Sequence, residues 1–254
     1  MPFPFTYQYP RPSLTVDPVI FGFDAEEETP ILRVLLIKRA DEPHKGQWAI
    51  PGGFVEVLDT HGQGESIDEA ARRELQEETG ISVAYMEQLY TFGTPGRDPR
   101  GRVISVAYMA LVRMQDCKVV AGSDAAEAKW FAVEDALDHG KLAFDHRDIL
   151  KLAVQRLQGK VRYAPIGVNL LPTKFTMGQL QKLYEALLFR KLDDDKGGLD
   201  SSNFSKKVKK VLVDSGILVK TKETQKGQHR PAPLYRFDKR AYDKAVQNRF
   251  NFEI

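Results

Sequence analysis

The chain reads as two domains: an α/β domain with a mixed sheet over residues 1–159, then a smaller α+β domain over 160–254. Three observations predict this. A length of 254 residues suits two hydrophobic cores better than one. Strand-like and helix-like runs alternate through the first part, whereas the second reads helix, helix, hairpin. Charge divides at the same boundary, net −8 up to Gly159 and net +10 beyond it.

Composition narrows the class. With 42% hydrophobic and 28% charged residues, the chain is an ordinary globular one. No apolar run approaches the ~18 residues of a spanning helix. The opening MPFPFTYQYPRP lacks the basic and apolar regions of a secretory signal. Cys117 is the single cysteine, which excludes an internal disulfide and agrees with a reducing compartment. A cytoplasmic protein with no membrane partner is expected.

The elements follow from local pattern. Leu14 to Phe23 and Ile31 to Lys38 are apolar runs parted by the polar turn DAEEETP, and predict two strands. AIPGGFVEV carries a glycine pair, and LDTHGQG after it reads as loop. Ser66 caps a helix reaching about Thr79, with Glu69 completing a capping box and Gly80 ending it. Strands at 87–94 and 102–113 flank the loop PGRDPRG. AKWFAV is another strand, leading to a short helix near Val133–Leu137. LAFDHRDILKLAVQRLQ predicts a longer helix, with Ile149, Leu150, Ala153 and Leu157 at helical spacing. Residues 160–174 hold two prolines and are expected to link and to pack. A helix from Met177 to Phe189, capped by Thr176, precedes the break DDDKGGLDSS. A second helix, Asn203 to Val213, turns Phe204, Val208, Val211 and Leu212 inward. The hairpin ILVKTKET/APLYRF closes the domain.

The stretch from Gly53 to Ile81 carries the chemistry. On its helix, Glu74, Glu77 and Glu78 share a face, while Ile67, Ala70, Ala71 and Leu75 form the opposite one. Three stacked carboxylates repel each other unless a hard cation shares them. Mg²⁺ (or Mn²⁺) is bound in this way, by a few carboxylates together with substrate phosphates. The alternative is a solvated, acidic amphipathic helix.

The run Arg73-Glu74-Leu75-Gln76-Glu77-Glu78-Thr79-Gly80-Ile81, with Glu65 eight residues upstream of Arg73, resembles the signature of the Nudix superfamily. The resemblance implies an α-β-α sandwich fold and metal-assisted attack of water on a diphosphate. It implies Glu74, Glu77 and Glu78 as metal ligands, Arg73 bracing the carboxylates, and Gly52 and Gly53 beside the substrate. The general base often comes from outside the helix, and Glu127 and Asp98 are the candidates. One departure stands out. The family has five residues between the glycine and the first glutamate, whereas eleven separate Gly53 from Glu65. Such an insertion either leaves the site intact, as loops allow, or misplaces Glu65 and slows turnover.

Nudix substrates are nucleoside diphosphates joined to another group, of the nucleotide-sugar type. Pro95, 15 residues after Gly80, is a feature like that of ADP-ribose pyrophosphatases. Arg97, Arg100 and Arg102 in the loop before the second of these strands suit phosphate or ribose. Tyr90, Phe92 and Tyr108 are candidates for stacking on a base.

Residues 176–237 follow winged-helix order. Asn203, Lys206, Lys207, Lys209 and Lys210 lie on the outer face of the second helix, suited to phosphates and base edges of double-stranded DNA. Lys220, Lys222, Lys226, His229 and Arg230 would form the wing. Beyond residue 14 the whole chain, including LAFDH at 142–146, resembles Nudix-related transcriptional regulators of the NrtR type. That resemblance implies a Nudix domain sensing ADP-ribose or a related metabolite, a winged helix on an operator, and a homodimer matching a two-fold site. The alternative is a Nudix hydrolase whose C-terminal domain serves dimerisation or gating, with no DNA role.

Overall fold

The computed structural model describes residues 8–27, 30–57, 64–80, 85–117, 125–138, 141–188, 199–225 and 231–247. The chain forms two compact units, one of residues 1–20, 34–110 and 117–153, the other of 21–33, 111–116 and 154–254. The first unit carries most of a seven-stranded sheet. Its strands are β1 (Ser13–Phe23), β2 (Arg33–Arg39), β3 (Trp48–Ala49), β4 (Gly53–Phe54), β5 (Tyr85–Phe92), β6 (Val103–Arg113) and β7 (Ala125–Ala132). The helices are α1 (Ile67–Thr79), α2 (Val133–Asp138) and α3 (His146–Val161).

Strand order is β3-β2-β1-β6-β5, with β4 added to β1 and β7 to β2, giving the mixed sheet with helices that the sequence predicts. β1 is buried continuously from Thr15 to Phe23 rather than at alternate positions. A strand in mid-sheet covered on both faces reads as such an apolar run. Asp17 is the one acidic residue within that buried run, at 6% exposure.

α1 forms as expected. The Ser66 hydroxyl accepts from Glu69 N–H and the Glu69 carboxylate accepts from Ser66 N–H, while Gly80, at φ 69°, closes the last turn onto Gln76 O. Ala70 and Ala71 are wholly buried against Val16, Val106 and Tyr108. The opposite face is thereby turned away from this core.

One boundary differs from expectation. α3 begins at His146, not at Leu142. Leu142 pairs with Trp48 in a parallel bridge, and Ala143 N–H donates to Trp48 O at 2.8 Å. Phe144 sits at φ 53°, in the left-handed region. The apolar spacing of LAFD fits a helix, but its backbone is taken by β3, and Asp145 O receives the first helical N–H groups, from Asp148 and Ile149.

In the second unit, β8 (Phe175–Thr176), β9 (Leu218–Gln225) and β10 (Ala232–Phe237) form an antiparallel sheet in the order β8-β10-β9. Thr176 and Gln179 make the capping box of α4 (Met177–Leu187). Asp200 caps α5 (Ser201–Val208) through Asn203 N–H at 2.7 Å, and the chain continues as a π-turn over Lys209–Val213. Leu180, Leu183, Tyr184, Leu187, Phe204, Val208 and Leu212 are buried, with the Tyr184 and Phe204 rings 5.7 Å apart. The expected linker packs as a short 3₁₀ segment, Pro165–Leu170, with five of its six residues buried. The hairpin stands where predicted, but Lys226, His229 and Arg230 lie outside the described residues. A final helix, α6 (Lys239–Gln247), capped by Asp238, is additional to the sequence reading. No described helix is long and apolar enough to cross a membrane.

Leu212 lies within the π-turn and is wholly buried beside the α5 core positions Phe204 and Val208. Leu212→Ala is expected to destabilise this unit by about 2–5 kcal/mol, measured as a lower urea midpoint. Val211→Ala, at a half-buried position, should cost less.

Candidate functional site

A cavity of about 750 Å³ opens in the first unit, within the size range of small-ligand sites. One wall is the acidic face of α1 with β4, and the other is built from β1, the 97–100 loop and residues 144–146.

Arg73 organises the first wall. Its Nη2 donates to Glu65 Oε1 at 2.7 Å and to Phe54 O at 3.1 Å, and its Nε donates to Glu65 Oε2 at 3.1 Å. Its Nη1 donates to Glu74 Oε1 at 2.7 Å and Glu77 Oε2 at 3.3 Å. Glu65 is held from a second side by Glu56 N–H at 2.9 Å, and its own N–H donates to Glu56 O at 3.0 Å. The long spacing between Gly53 and Glu65 therefore does not misplace the glutamate. Residues 58–63, which carry the extra length, lie outside the described residues.

These contacts split the carboxylates. The hydrogen bonds from Arg73 hold Glu65 below the usual carboxylate range. Burial pushes Glu74 above it, against Arg73's pull, and the charges of Glu77 and Glu65 push the same way. Gly53 makes this packing possible. A Cβ there would stand 2.1 Å from Glu74 Oε1, and one at Gly52 would stand 2.3 Å from Val16 O. Close approach to backbone requires glycine at 52, whereas a side chain at 53 would displace the end of Glu74.

Of the three expected metal ligands, Glu74 and Glu77 line the cavity and meet at Arg73. The side chain of Glu78 lies outside the described residues. Among the described residues no three His, Cys, Asp or Glu side chains are grouped closely enough to hold a metal. The donors are hard carboxylate oxygens, the type a divalent Mg²⁺ takes.

Of the arginines expected beside the substrate, Arg97 and Arg100 line the cavity, each held by a carboxylate. Arg97 grips Asp145 with two bonds, 2.8 and 2.6 Å, and lies 3.6 Å from Asp17, with its side chain only 5% exposed. Arg100 pairs with Asp98 at 2.7 Å and rests over the Phe54 and Phe144 rings, 5.1 and 5.6 Å from their centres. Arg102 is exposed and is not part of the lining. Asp98 lines the cavity, and although burial opposes its ionisation, hydrogen bonds from the Arg100 side chain and backbone hold it below the carboxylate range. Glu127 stands half exposed on β7, 4.0 Å from Lys38, and the structure does not bring it to the lining.

The aromatic expectation also shifts. Tyr108 is buried and bonds Asp68, and Tyr90 packs on Phe92 away from the cavity. Phe54 and Phe144 are the rings that line it. Asp17, Phe144 and His146 were legible only through the LAFDH segment or not at all. A lone aspartate in an apolar strand gives no periodic signal.

In the second unit, Asn203, Lys206, Lys207, Lys209 and Lys210 are all exposed. Capping by Asp200 places Asn203 in the first turn, where recognition helices meet base edges. Lys220 and Lys222 are exposed on β9.

Removing Arg73 would leave two largely buried carboxylates without their cation. Arg73→Ala is expected to cost about 2–4 kcal/mol at pH 7. Because Glu65 titrates below its unfolded value, its share of the stability is present above about pH 4.3 and lost as pH falls through its folded value. The gap between variant and parent in urea titrations should therefore narrow in acid; a gap that widened would contradict the clamp.

Comparison with known proteins finds two domain families in the chain. Residues 14–153 match the family model of the NUDIX domain, and 167–237 that of the NrtR DNA-binding winged helix domain. The ADPR responsive transcriptional repressor NtrR of Acinetobacter baylyi is 36% identical over 244 residues, 96% of this chain and 87% of that protein. The ADP-ribose pyrophosphatase of Methanocaldococcus jannaschii is 41% identical over 143 residues, 56% of this chain and 73% of that protein. The crystal structure of Shewanella oneidensis NrtR complexed with a 27mer DNA superposes with a TM-score of 0.75 at 31% identity, covering 94% of this chain and 97% of that one. The chain therefore belongs to the Nudix family, in the branch that joins a Nudix domain to an NrtR-type winged helix.

Proposed function

We propose that this protein is an ADP-ribose-responsive transcriptional regulator, in which the Nudix cavity binds ADP-ribose and the winged helix binds an operator as a homodimer. The observation that carries the reading is the presence in one chain of a Nudix cavity with its clamp in place and a capped helix that, with the π-turn after it, exposes four lysines. Similarity over 96% of the chain to a repressor named for its response to ADPR supports it. A charge of +10 over residues 160–254 favours a polyanionic partner. Asn203 would read base edges, Lys206, Lys207, Lys209 and Lys210 would hold phosphates, and Arg230 would belong to the wing. Effector and operator affinities would then be coupled reciprocally, in the cytoplasm where both are found.

The intact clamp favours a second activity at the same site, hydrolysis of ADP-ribose. Glu74 and Glu77, with Glu78, would hold Mg²⁺ or Mn²⁺. The ion would supply charge neutralisation on the diphosphate and activation of water. Arg73 keeps the carboxylates in register whether or not turnover occurs. Neither Asp98, committed to Arg100, nor Glu127, half exposed on β7 and outside the lining, is an evident base.

Selection of genomic DNA fragments on the protein, followed by fluorescence anisotropy, tests the regulator. A specific fragment should be bound and then released by ADP-ribose. Lys206→Ala and Lys210→Ala should each reduce the log–log salt slope by about 1. No specific binding, with or without ADP-ribose, would leave the plain hydrolase. For the enzyme, ADP-ribose with Mg²⁺ should yield AMP and ribose 5-phosphate, and Glu78→Gln should lower the rate by about 10²-fold or more.

A further inference from the structure

We infer that His146 and Asp17 form a donor–acceptor pair that reads one sugar hydroxyl of the ligand. This rests on the proposed binding of ADP-ribose in the cavity.

His146 is 5% exposed and lines the cavity. Its Nδ1 accepts the Ile50 N–H at 2.9 Å. A neutral imidazole that accepts at one nitrogen carries its proton on the other, so the bond to Ile50 fixes the Nε2–H tautomer. Burial pushes the ring's pKa down and keeps it neutral; Arg97 and Arg39 act in the same direction, and Asp17 and Asp145 act against it. Among the described residues nothing accepts the Nε2–H.

Asp17 presents the complementary group. Its Oδ2 accepts from the Ser105 hydroxyl and faces Arg97 at 3.6 Å. Among the described residues nothing donates to Oδ1. That oxygen lies beside Gly52, where a Cβ would approach it to 2.7 Å, so only glycine leaves it open. A donor on one buried residue and an acceptor on another, both open to the cavity, are groups for a ligand or water to meet.

The chemistry of the pair selects the ligand group. A hydroxyl both donates and accepts, so it can give its proton to Asp17 and take the His146 N–H. A phosphate oxygen could use His146 alone and would meet the Asp17 carboxylate as a like charge. The backbone also orders the site. Ile50 holds His146, Gly52 adjoins Asp17, and Gly53 adjoins Glu74. Asp17 and Glu74 therefore flank consecutive glycines, so the hydroxyl reader and the carboxylates that face the diphosphate belong to one stretch of the cavity.

His146→Asn tests this, because asparagine's Oδ1 can still accept from Ile50 N–H while no donor reaches the Nε2 position. Calorimetry with ADP-ribose and with ADP, and a thermal melt of each ligand-free protein, give the readouts. The expected result is an unchanged melting midpoint and about tenfold weaker binding of ADP-ribose, the worth of one hydrogen bond. A loss confined to ADP-ribose places the hydroxyl on the distal ribose, and an equal loss with ADP places it on the adenosine ribose. His146→Gln, whose amide can donate from near Nε2, should bind more tightly than His146→Asn even if it melts lower. Equal binding by His146→Asn and the parent, or equally weak binding by both variants, would overturn the inference. Failure of the unaltered protein to bind ADP-ribose would instead overturn the functional reading beneath it.

Discussion

The site depends on one guanidinium. Arg73 distributes five hydrogen bonds among three carboxylates and the Phe54 carbonyl, and in doing so ties α1 to β4 and to the start of its own helix. Lysine could not replace this geometry, because a point charge has no planar fork to match a carboxylate edge. The clamp sets distance as well as charge. It draws Glu74 inward under Gly53 and gives Glu65 a fixed seat.

The sequence was most readable where one helix carried all the signals. In α1 the capping box, the buried alanine pair and the terminal glycine lie within fifteen residues, and each is a local effect of the backbone. The carboxylate face follows from periodicity alone. The opposite wall was hidden because it is assembled from distant segments: Asp17 in β1, Arg97 in a loop, and Phe144 to His146 at the start of α3. Nothing at position 97 reveals that its partner is 48 residues away. Composition favoured a ligand role for Arg97; it lines the cavity, but the Asp145 carboxylate that holds its guanidinium there could not be read from sequence.

The helix boundary at residue 146 shows the same competition. LAFD has helical spacing, but pairing with β3 satisfies its backbone in an extended form and pushes Phe144 into the left-handed region. Strain of this kind, at a cost of order 1–3 kcal/mol, persists where surrounding contacts over-determine it and clusters at ligand sites. The basic unit shows the reverse case: the lysines of α5 were legible as a face because its core positions are Phe204, Val208 and Leu212. Only the π-turn, which changes the angular step after Val208, escaped a reading built on 3.6 residues per turn.

The ladder between Glu56 and Glu65 has a practical side. Because those two residues bond to each other through both main chain and carboxylate, the polypeptide on either side of the intervening stretch is anchored before that stretch begins. Glu65 is thus seated by Glu56 and Arg73 together, ahead of α1. The register of the acidic face rests on that seat, so changing the length of polypeptide that connects the two glutamates would cost closure entropy alone, which grows slowly with length.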